Sequence, residues 1–86
     1  MKATAEMTEL QTRIDLNADT IKTIQERMRR VSEFNARTEG GNQAKSELQT
    51  QLGNEVKHHE DTIMELTGLL EVATVRHLAS EEYTED

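Results

Sequence analysis

The densest gathering of side chains able to ligate a metal or move a proton is Glu55, His58, His59, Glu60 and Asp61. Glu55 and His58 stand in an E-x-x-H spacing, the helical arrangement that carboxylate-bridged di-metal bundles use when several helices contribute. What decides its use is the direction in which the helix turns the two groups. In the apolar seam derived below, His59 points inward, whereas Glu55 and His58 fall at the flanking positions g and c. The pair therefore does not project into the interior together, and no companion carboxylate occupies a core position, so neither a metal nor any other cofactor is expected. The chain has no cysteine, which excludes a thiolate site, a thiol nucleophile and a disulfide framework. Hydroxyls and imidazoles are present, but a nucleophile needs a base and an orienting group converging in a concave pocket, and 86 residues of the composition below leave little room for one. An enzyme is not expected.

Two charge clusters remain. Arg27, Arg29, Arg30 and Arg37 make one stretch basic, as a phosphate contact would require, yet they also complement the negative end of a helix dipole and have Glu26, Glu33 and Glu55 within reach. The net charge is −7, and the aromatics, Phe34 and Tyr83, offer no stacking platform, so neither nucleic acid nor a membrane is an expected partner. The acids concentrate in the second half: residues 1–39 balance seven Lys/Arg against seven Asp/Glu, while residues 40–86 hold three against ten. Glu60, Asp61 and Glu65 form an acidic face, and residues 81–86 read as an acidic flexible tail. Such charges usually solvate a surface; the functional alternative is a small acidic inhibitor that mimics nucleic acid and blocks a basic site on a nucleic-acid-handling protein.

The elements that position these groups follow from periodicity. Hydrophobic residues make up only 34%, proline is absent, and most of the remainder are good helix formers, so the fold class is all-α. A chain this short buries only about 60–65% of its unfolded surface, and a thick globular core is out of reach. From Ala3 the apolar residues recur in steps of three and four, with Met7, Ile14, Ile21 and Met28 at position a and Ala3, Leu10, Ile24 and Val31 at d. A second seam places Val56, Ile63, Leu70 and His77 at a and Leu52, His59, Leu66 and Ala73 at d. Gly40 and Gly41 lie between the seams and read as a helix stop, with Asn42 as the next N-cap. The expectation is an antiparallel two-helix coiled-coil hairpin over residues 1–80, with helix one at about 3–38, a glycine turn at about 39–42 and helix two at about 43–79.

Folding the sequence so that facing positions sum to 80 sets every a opposite a d: Met7 meets Ala73, Leu10 meets Leu70, Ile14 meets Leu66, Asn17 meets Ile63, Ile21 meets His59 and Ile24 meets Val56. On one flank, position g, Glu6 faces Arg76, Arg27 faces Glu55 and Phe34 faces Leu48, so interhelical ion pairs are expected there. The other flank, position e, is small and nearly uncharged, as a surface covered by another helix would be. Met64, Leu69, Val72, Val75 and Leu78 lie outside the seam and form a second apolar surface. Both features point to a homodimer closing into a four-helix bundle, or to the swapped dimer that an opened turn would give. Asn17, His59 and His77 interrupt the seam and are expected to fix register or partner number, with loosening in mild acid as the alternative use of the histidines.

The function expected is a non-enzymatic protein-binding module, a self-associating hairpin acting as structural component, adaptor or assembly factor. Met64, Leu69, Val72, Val75 and Leu78 would dock another protein. The N-terminus lacks the apolar run of a signal peptide and no stretch approaches the ~18 apolar residues of a membrane span, so the expected location is cytoplasmic.

Overall fold

The computed structural model describes residues 2–83 as two helices, α1 (Ala5–Glu33) and α2 (Glu39–Leu78), folded back on each other in a hairpin whose extents are 66 × 18 × 12 Å. Each helix begins at a threonine. Thr4 accepts a hydrogen bond from the Met7 N–H at 3.2 Å, and Thr38 accepts one from the Gly41 N–H at 3.0 Å, satisfying donors that the first turn leaves free.

The turn is not where the glycines suggested. α1 stops at Glu33, Phe34 turns to an extended backbone, and α2 is already helical at Glu39, so the link is residues 34–38 and Gly40 and Gly41 lie in the first turn of α2. No described residue, glycine or other, has a positive φ. Two local effects move the boundary. Thr38 followed by Glu39 is a strong helix start, because the side chain caps and the carboxylate meets the positive end of the dipole. The carbonyls that end α1 are taken by a lysine in place of a glycine cap: Lys45 Nζ donates to the Ser32 oxygen at 3.0 Å and to the Phe34 oxygen at 2.8 Å. Gly41 makes a close approach, since a Cβ there would meet Thr38 Oγ1 at 3.1 Å and the Ala36 Cβ at 3.2 Å, tight enough that these neighbours would have to give way, whereas one on Gly40 would meet nothing within 4 Å.

The seam follows the heptads. In α1, Met7, Leu10, Ile14, Asn17, Ile21, Ile24, Met28 and Val31 are buried or half-buried, and in α2 so are Leu52, Val56, His59, Ile63, Leu66, Leu70, Ala73 and His77. Ala3 is the exception; it lies ahead of the Thr4 cap and is exposed. Met7, Leu10, Leu66 and Ala73 form one cluster with Ile14 and Leu70 against it, the three layers that the sum of 80 sets face to face. Nearer the turn, Ile24 and Leu52 are buried. A fully buried Leu or Ile contributes about 1.5–3 kcal/mol, but among the described residues no side chain falls below 2% exposure. The core is one layer deep and open along both sides.

Beyond α2 the chain does not run straight into a tail. The Glu82 N–H donates to Ser80 Oγ at 3.0 Å, and the Tyr83 ring meets His77 edge to face at 5.6 Å between centroids. The first part of the expected tail, residues 81–83, is thus folded against the helix end, and Glu85 and Asp86 lie outside the described residues.

Candidate protein-docking surfaces

Asn17 and His59 meet across the seam, Nδ1 of the imidazole lying 2.8 Å from Oδ1 of the amide. In the register above these residues belong to adjacent layers, Asn17 opposite Ile63 and His59 opposite Ile21. Their side chains reach one layer diagonally to find each other, because a half-buried polar group left alone costs more than the reach. His77, the third polar seam residue, has its Nε2 buried without a hydrogen-bond partner, beneath Tyr83.

The ligand-type cluster separates as its heptad positions require. His59 enters the seam, His58 is exposed, and the two rings touch edge to face at 5.4 Å. Among the described residues no three His, Asp or Glu side chains gather as a metal site would need. A hollow of ≈ 620 Å³ runs along α2 past Ser46, Gln51, Asn54, Glu55 and His58. It is lined from one helix only, so it is a groove that cannot surround a small substrate.

Charges also arrange themselves differently from the flank pairing. The only ion pairs among the described residues are those of Arg29 with Glu26 and Glu33, both within α1. Glu6 with Arg76 and Arg27 with Glu55 do not close across the helices, as befits solvated pairs for which holding two long side chains offsets the attraction. The Arg29 hydrogen bond, followed by its charge and that of Arg30, holds the Glu26 carboxyl below the ordinary glutamate range. Glu60, Asp61 and Glu65 are exposed and carry no ion pair.

All five residues of the second apolar surface are exposed: Met64 at 73%, Val75 at 64%, Leu69 at 56%, Leu78 at 49% and Val72 at 46%. Three more large apolar side chains share that state, namely Leu16, Phe34 and Leu48. Phe34 and Leu48 are the apolar flank pair, and with Val31, Gly41, Ala44 and Lys45 they line a hollow of ≈ 300 Å³. Leu16 stands at a c position, where a reading that follows only the seam passes over it. On the opposite long side, Met7, Gln11, Leu70 and Thr74 line one shallow hollow and Gln25, Met28, Arg29, Ser32 and Gln49 another, along the flank of small residues seen in the sequence.

The hairpin exposes 6650 Å². A compact chain of 9.8 kDa exposes about 5,200 Å², leaving roughly 1,500 Å² of surplus. Among the described residues no helix is long and apolar enough to cross a membrane. No family model, no curated protein and no solved structure matches this chain.

Proposed function

We propose that this chain is a non-enzymatic protein-binding module that self-associates, two hairpins closing into a four-helix bundle that serves as structural component, adaptor or assembly factor, in a cytoplasmic setting. The observation that carries the reading is the surplus of exposed surface together with eight large apolar side chains left in solvent. A stable interface removes about 800 Å² from each partner, and this chain has more than that to hide. Isolated exposed leucines are ordinary, but a one-layer seam flanked by such residues is half of a bundle core. Light-scattering mass across a concentration series is the test. Twice 9.8 kDa is expected at micromolar concentration, and the mass of one chain throughout would overturn the reading. Apolar surface left over in the bundle, with Met64 and Val75 foremost, is the place for a further protein to dock.

A second reading is supported by the free acids Glu60, Asp61 and Glu65, which would let helix α2 occupy a basic site on a nucleic-acid-handling protein. The two differ in salt response: apolar docking persists in high salt, whereas charge mimicry collapses. Charge reversal at these three residues abolishes binding only under the second reading.

A further inference from the structure

We propose that the second copy docks on one particular long side of the hairpin and runs head to tail, the turn end of each chain lying against the open end of the other. The inference rests on the self-association proposed above and adds its face and direction. In an antiparallel pair, positions g and c of both helices share one long side, and e and b share the other. Five of the eight exposed apolar side chains fall on the first: Phe34 and Leu48 near the turn, and Leu16, Leu69 and Val72 toward the open end. The hollow between Phe34 and Leu48 is apolar apart from Lys45, whereas those on the other side, the small flank first expected to be covered by another helix, are rimmed by Gln, Ser, Thr and Arg29.

The two patches are separate. Leu48 and Leu69 are 21 residues apart on one helix, which is about 30 Å. Between them the same side carries Thr20 and Thr62 together with the charged Arg27, Arg30, Glu55 and Glu65, so the apolar contacts are confined to the two patches. One hairpin cannot join its own two patches. A two-fold axis crossing this side between them sets the turn patch of each copy on the open patch of the other, so that both contacts form at once.

A parallel dimer would instead set like patch on like, and charge decides against it. The turn half, residues 22–57, carries seven Lys/Arg against five Asp/Glu, net +2. The rest of the described residues carry three against ten, net −7. Head-to-tail association lays +2 beside −7 twice over, whereas the parallel arrangement lays −7 beside −7 and is opposed by that repulsion.

Because the chain has no cysteine, Asn35→Cys in the exposed link provides one unique position for a spin label. Pulsed dipolar spectroscopy on the labelled dimer is expected to give a separation of about 40–50 Å, because the axis lies midway between patches about 30 Å apart and Asn35 sits a little beyond Leu48 toward the turn. A separation below about 30 Å, the reach of two neighbouring helix pairs, would overturn the head-to-tail arrangement while leaving self-association standing. No dipolar coupling, with the mass of a single chain, would overturn both. The face is tested by Leu48→Glu and, independently, Leu69→Glu, each expected to weaken the dimer about tenfold or more. Gln25→Glu on the other side is expected to change it by less than about twofold. The reverse pattern would overturn the choice of face, and circular dichroism at high concentration confirms that each variant keeps its helices.

Discussion

At its open end the hairpin is held by packing, through the cluster of Met7, Leu10, Leu66 and Ala73 with Ile14 and Leu70 against it. Toward the turn only Ile24 and Leu52 are buried, and there the helices are joined by polar bonds from Lys45 to the carbonyl oxygens of Ser32 and Phe34. The difference follows from chain connectivity. Close to a five-residue link the two helices have little freedom left to lose, so modest contacts suffice; at the far end nothing covalent ties them, and apolar burial must offset the full cost of bringing them together.

That contrast can be broken most directly by emptying each core in turn. Leu66→Ala should cost about 2–5 kcal/mol in a denaturant melt at fixed protein concentration, and Leu52→Ala distinctly less, because helix ends near the link stay together without it. Equal losses would show that the two ends are held alike. A smaller effect is expected where the two regions meet. Asn17→Ala strands the His59 imidazole and should cost about 1–3 kcal/mol, whereas replacing Asn17 and His59 together by leucine should raise the melting temperature. A fall in the double variant would mean that the polar pair contributes net stability beyond orientation. The smallest change distinguishes the neighbouring glycines of the turn end. Gly40→Ala, with open space around it, should stabilise by up to about 1 kcal/mol, while Gly41→Ala should give no such gain because its Cβ runs into Thr38 and Ala36. Parallel gains at both positions would remove the close approach as the reason for Gly41.

Much of the fold was readable because a strict heptad leaves few choices. The alternation from Met7 to Val31 and from Leu52 to His77 fixes which stripes meet, and the facing layers around Leu10 and Leu66 appear as the register placed them. The link was misplaced because a glycine pair is a strong stop signal when read alone, while its rival here combines a cap at Thr38 with a lysine arriving from the next turn of α2. The latter is a tertiary contact that no local pattern reveals. The expected flank ion pairs failed for a related reason: heptad geometry brings Cβ atoms near each other but says nothing of whether long solvated side chains prefer closer partners, as Arg29 does with Glu26 and Glu33. For the docking surface, the five off-seam residues of α2 were visible as surplus hydrophobicity. Leu16 was not, because a single apolar residue on the polar side of α1 repeats at no period.

The Asn17–His59 bridge also gives the molecule a fixed length. Sliding one helix past the other by a heptad, about 10 Å, would keep every oily position matched yet bring Asn17 up to Leu66 or Leu52, leaving an amide and an imidazole each facing hydrocarbon. Such a detent resists slippage in either direction. It would suit the hairpin to act as a spacer, setting the distance between whatever is attached to its two ends.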